Sequence, residues 1–148
     1  MRDLKGLDHI GIRVSDFESS IEFYKAFGFE LQRADIEEGV RVLAHKQGPT
    51  LNLLDSTTKT RAIHNVLMDE ETKHTGYTHI ALIVQDIAKT VDYINNLGHE
   101  ITEGPVSFSD GKTSIFIRDP DRNVIEFTQS TQTVQSATYS VENSGGEI

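Results

Sequence analysis

The chain has no cysteine, no tryptophan and only 3 prolines in 148 residues. Without cysteine there is no disulfide, no thiolate nucleophile and no sulfur-ligated zinc. Positive charge is also scarce: Lys+Arg number 14 against 23 Asp+Glu, a formal charge of -9. That is the wrong sign for a protein that neutralises phosphates, so no nucleic-acid partner is expected. No apolar run approaches the roughly 20 residues that span a bilayer, and no membrane partner is expected either. The opening stretch Met1-Arg2-Asp3-Leu4-Lys5-Gly6 lacks the apolar core of a secretory signal, so the cytoplasm is the expected compartment. The length suits one compact domain, or two small modules that share a core.

What the chain does contain is contained twice. Shifted by 70 residues, Leu7-Asp8-His9-Ile10-Gly11-Ile12-Arg13-Val14 lies over Tyr77-Thr78-His79-Ile80-Ala81-Leu82-Ile83-Val84. The match runs on without a gap through Asp16 and Asp86, Ile21 and Val91, Phe27 and Leu97, to Gly28 and Gly98. A run of that length is a duplication. In each copy, apolar residues first alternate with a period of two, as in a strand with one buried face. The two aspartates then stand where a helix N-cap belongs. Apolar residues follow at helical spacing, and each glycine stands where a left-handed residue ends a helix.

Three more strands are expected in each copy, near Glu30–Asp35, Val40–His45 and Thr50–Leu54, and near Glu100–Glu103, Thr113–Arg118 and Asn123–Gln129. Asp119-Pro120-Asp121-Arg122-Asn123 reads as the turn of the last hairpin. Leu51-Asn52-Leu53 lies over Ile125-Glu126-Phe127, at an offset of 74. The expected architecture is α+β: two tandem βαβββ modules forming an incomplete eight-stranded cup with the helices outside. One domain should cover 5–129, with modules at 5–55 and 76–129 and a linker at 56–75. The Ser-, Thr- and Gln-rich segment 130–148 reads as a mobile polar tail.

Strand parity singles out the chemistry. His9, His79 and Glu126, together with Asn52, fall on the strand faces that do not pack on a helix. Pseudo-symmetry would gather these four positions at the centre of one curved sheet. Two imidazoles and a carboxylate form the facial set of an open divalent site, with positions left for water or substrate. The metal could be Fe, Ni, Zn or Mn. Arg13 shares the face of His9. Candidate bases are His64, Glu37 and Glu38, while His45, His74 and His99 read as residues of solvated loops or strand ends.

Leu7-Asp8-His9-Ile10, Ser20-Ile21-Glu22-Phe23-Tyr24 with Gly28-Phe29, Thr78-His79-Ile80-Ala81 and Arg118-Asp119-Pro120-Asp121 through Ile125-Glu126-Phe127 resemble the vicinal oxygen chelate superfamily. That group includes glyoxalase I, fosfomycin-resistance enzymes, methylmalonyl-CoA epimerase, extradiol dioxygenases and bleomycin-resistance proteins. The resemblance implies a metalloenzyme acting on a small oxygenated substrate, either a glyoxalase-type lyase or isomerase or an iron dioxygenase, and a homodimer. The alternative it leaves is a non-catalytic small-molecule binder of the bleomycin-resistance type. Glyoxalase I-like members usually carry glutamate where this chain has Asn52, and asparagine cannot transfer a proton as a carboxylate does. Arg13 matches a position that binds a carboxylate of glutathione, which would then be a co-substrate. His64 stands at the spacing of the extradiol catalytic histidine. Phe116 stands, on the substrate side, where those dioxygenases place a tyrosine.

Overall fold

The computed structural model describes residues 3–130. The elements run β1 (Ile10–Val14), α1 (Phe17–Ala26), β2 (Glu30–Asp35), β3 (Val40–Ala44) and β4 (Thr50–Asp55), then β5 (His79–Ile83), α2 (Ile87–Asn96), β6 (Ile101–Ser107), β7 (Lys112–Arg118) and β8 (Val124–Ser130). Each half is a βαβββ module, and the fold is the expected α+β, glyoxalase-like one. Ser130 ends β8, and the rest of the expected polar tail, 131–148, lies outside the described residues.

Local chemistry sets both helices as the sequence implies. The Asp16 side chain accepts from the Ser19 backbone N–H, and Asp86 does the same for Lys89, so each caps an otherwise unpaired helical donor. Gly28, at φ 85°, turns the chain out of α1. A Cβ there would meet the His45 ring at 2.9 Å, so glycine is required on two counts.

The eight strands divide into two four-stranded sheets, ordered β1-β4-β3-β2 and β5-β8-β7-β6. In each sheet the first strand runs parallel to the last, and the other pairings are antiparallel. Among the described residues no ladder joins β1 to β5, the two sheets stay separate, and both strands keep a free outer edge. The other two edges are blunted: β2 and β6 each carry register shifts, β2 is charged, and β6 contains Pro105. Neither β1 nor β5 has any of these devices apart from Arg13.

Parity works as expected on the inner strands. Ile12, Val14, Leu51 and Leu53 are buried with Phe23 and Tyr24 of α1, while Ile125 and Phe127 are buried with Ile94 of α2. One apolar core spans both modules. The turn at Asp119–Asn123 closes the last hairpin, and it also ties the modules together. The Tyr24 hydroxyl donates to Asp119 Oδ2 at 3.0 Å, and the Ser15 N–H donates to Asp121 Oδ2 at 2.8 Å. Asp119 is buried and also accepts from the Asn123 side chain and from the backbone N–H groups of Asp121 and Asn123. The Tyr93 hydroxyl adds a bond to the Ala26 carbonyl at 2.6 Å.

Burial, with the charge of Asp119 as a second cause, pushes the Tyr24 phenol well above its ordinary 10.0. A phenol whose pKa is raised by folding stabilises the fold fully below its unfolded value, and that stability is lost as the pH rises beyond it. Unfolding free energy should therefore fall above about pH 10, and fall less in Tyr24→Phe. At neutral pH, Tyr24→Phe should cost about 1–3 kcal/mol, because it takes a donor from a buried carboxylate. Urea titrations of the two proteins at pH 7 and pH 10.5 check both outcomes.

Candidate metal centre

The second module brings two of the expected residues into contact. His79 is the first residue of β5, and Ala81, two residues on, is in register with Glu126 of the parallel β8. Side chains two apart in a strand share a face, so the imidazole and the carboxylate converge. His79 Nε2 lies 3.0 Å from Glu126 Oε2. Nδ1 of His79 is 2.9 Å from the Thr78 hydroxyl, which leaves Nε2 as the nitrogen aimed at the carboxylate. The Glu126 side chain is only 13% exposed, and its other oxygen, Oε1, accepts from Ser114 Oγ at 2.6 Å. Phe116, in register with Glu126, sets its ring edge-on to His79 at 6.1 Å between centroids. It supplies an apolar wall and no phenol.

The first module repeats the layout with other chemistry. Gly11 is in register with Asn52 of β4, and His9 precedes Gly11 by two residues. His9 stands one residue before β1 begins, on an exposed segment, and its Nδ1 lies 2.6 Å from Asp8 Oδ2. Its Nε2, unlike that of His79, faces no carboxylate among the described residues. Asn52 is half-buried and presents an amide where Glu126 presents a carboxylate.

His9 does not join the other pair. Among the described residues, no three His, Asp or Glu side chains come together as a metal site. His9 and His79 instead line one groove of about 910 Å³ between the modules, together with Arg13 and His64. The Arg13 guanidinium donates to the Asp55 carbonyl at 2.6 Å, which holds it against the end of β4. His64 Nε2 is engaged by Glu70 at 3.0 Å, so the imidazole is already partnered. Glu37 and Glu38 occupy the exposed β2–β3 turn and do not line the groove. His74 is in an exposed loop, as expected, but two other histidines are not simply solvated. His99 stacks on Phe27 and packs edge-on against Phe23, and His45 packs against Phe29. Both follow the helix-ending glycines of their modules or face them, where aromatic residues cluster.

Ser114 is a residue that the pattern of the chain did not single out. It is fully buried on β7, and a lone serine between a threonine and an isoleucine carries no motif. Only the pairing of β7 with β8 brings it to Glu126.

Comparison with known proteins agrees with the fold. The sequence pattern of the Glyoxalase/Bleomycin resistance protein/Dioxygenase superfamily matches residues 6–127. A probable lactoylglutathione lyase of Vibrio cholerae is 32% identical over 133 residues, covering 84% of this chain and 90% of that protein. A probable chloroplastic lactoylglutathione lyase of Arabidopsis thaliana is 32% identical over 123 residues and 80% of this chain, which spans only 34% of the plant protein. In structure, a glyoxalase/dioxygenase from Nostoc punctiforme superposes with a TM-score of 0.68 at 19% identity, over 88% of this chain and 94% of that one.

Proposed function

The chain belongs to the glyoxalase/bleomycin resistance protein/dioxygenase superfamily, and from that membership we propose that it is a divalent-metal-dependent lyase of the lactoylglutathione-lyase type, with its centre shared between two copies. The observation that carries the reading is the convergence of His79 Nε2 and Glu126 Oε2 at 3.0 Å. The residues fit a divalent ion. His9, His79 and Glu126 supply two imidazole nitrogens and a carboxylate oxygen, and both Nδ1 atoms are held by neighbours, as metal-ligating histidines require. A bound metal would polarise neighbouring oxygens of a small substrate and stabilise the negative charge that develops there.

The free edges of β1 and β5 support the second half of the proposal. Leu7, Tyr77 and Ile83 are exposed beside them, an apolar surface that none of the described residues covers. A second copy that lays its β1 beside this β5 completes an eight-stranded cup and carries its own His9 and Asn52 to His79 and Glu126. A two-fold pair contains two such centres.

The chain's own groups then have separate tasks. Arg13, fixed by the Asp55 carbonyl, is the cation placed to take a carboxylate of glutathione. Phe116 excludes water beside His79. Glu126 is the one carboxylate among the four central positions, so moving a proton between adjacent substrate carbons falls to it. Asn52 can hydrogen-bond but cannot share that task. The loss of the tyrosine phenol at Phe116, and the engagement of His64 by Glu70, favour this lyase over ring-cleaving oxygen chemistry.

His79→Ala and Glu126→Ala should each abolish stoichiometric binding of Ni(II) or Zn(II), measured by elemental analysis after gel filtration, with cooperative unfolding retained. Mixing denatured His9→Ala and His79→Ala chains and refolding them tests the sharing. Random pairing of a two-fold dimer should restore about a quarter of the parent's sites. No recovery would place the centre within one chain. Asn52→Glu separates the chemistries: it should raise turnover of methylglyoxal with glutathione. Oxygen uptake with catechols and iron(II), present in the parent and lost in Asn52→Glu, would assign a dioxygenase instead. Ligand binding without turnover in either assay would assign a binder.

A further inference from the structure

We propose that Ser114 is a positioning residue for Glu126, pinning one carboxylate oxygen so that the other is presented to the metal; the inference rests on the metal reading above. The contact is short and enclosed. Ser114 is 0% exposed, and its hydroxyl donates to Glu126 Oε1 at 2.6 Å. A hydroxyl-to-carboxylate bond of that length is of the strong, charge-assisted kind. A carboxylate otherwise turns freely about its last torsion, where the preference is broad. With Oε1 held, Oε2 alone faces His79 Nε2.

The duplication supplies an internal control. Phe116 is in register with Glu126 and Ser114 with Thr128, so Ser114 is the diagonal neighbour of the carboxylate on one face. In the first module Val42 is in register with Asn52 and Val40 with Leu54. Val40 therefore stands where Ser114 stands, and Asn52 where Glu126 stands. The hydroxyl and the carboxylate occur together in one module, and both are missing from the other. Crowding at this point involves the backbone: a Cβ on Gly104 would lie 2.6 Å from the Ser114 carbonyl oxygen, which accounts for the glycine at 104 and leaves the side chain at 114 open. It does not explain a hydroxyl. Alanine would fit as well, and whereas the buried hydroxyls of Ser15, Ser20 and Thr128 have no hydrogen-bond partner among the described residues, that of Ser114 is bonded to Glu126.

Co(II) added to the chelator-stripped full chain, followed by absorbance and calorimetry, reads the effect directly. Ser114→Ala should bind Co(II) about 10–100-fold more weakly than the parent, as loss of a partner behind a metal ligand typically does. The ligand-field spectrum should also change, which a merely structural role for Ser114 would not produce. Equal affinity and an unchanged spectrum in Ser114→Ala would overturn the proposal. A parent that binds no Co(II) would overturn the metal reading instead, so the two failures are distinguishable. A second experiment leaves the second module untouched. Val40→Ser added to Asn52→Glu should tighten Co(II) binding at least tenfold over Asn52→Glu alone. No gain there would also overturn the proposal.

Discussion

The buried carboxylate of Asp119 is the constraint on which the arrangement of the two modules depends. Desolvation pushes its pKa up, and hydrogen bonds from Asn123, Tyr24 and two backbone N–H groups work against that. A carboxylate so buried is tolerable only while its partners stay in place. Two of its contacts shape its own turn and so fix the start of β8, which carries Glu126. The bond from Tyr24 reaches across to α1 and sets the first module against the second. One group thereby links the geometry of the last hairpin to the width of the groove.

That geometry has a price in exposed surface. Among the described residues β1 and β5 are paired on one side only, by β4 and β8, while β2 and β6 carry the bulges, charge and proline that discourage pairing. The unprotected edges are the ones beside the histidines. Within the chain, the second module supplies a partnered imidazole–carboxylate pair and the first an imidazole backed by Asp8. These are unlike halves on a common plan, which is what duplication followed by divergence produces. Asn52 and Val40 in one half answer to Glu126 and Ser114 in the other.

The repeat, the two helix caps, the glycine stops and the alternation of strand faces were legible in the sequence, because each is a local rule with a short period. Asp16 and Asp86 cap, Gly28 and Gly98 end their helices, and Ile12 and Val14 point inward, all for reasons contained within a few residues. Strand β6 was legible only in part: it runs to Ser107, beyond the expected Glu103, because pairing with β7 carries it through Gly104 and Pro105. The faces of His9, His79, Asn52 and Glu126 were legible by parity. Their meeting was not. Parity states which side a residue takes and nothing about how far apart two sheets stand. The tertiary structure decided that His79 touches Glu126, because β5 and β8 pair in register, while His9 remains with Asp8, because no ladder joins β1 to β5 among the described residues. It also decided that Ser114 lies behind Glu126, since only the register of β7 on β8 brings a residue twelve positions away to the carboxylate.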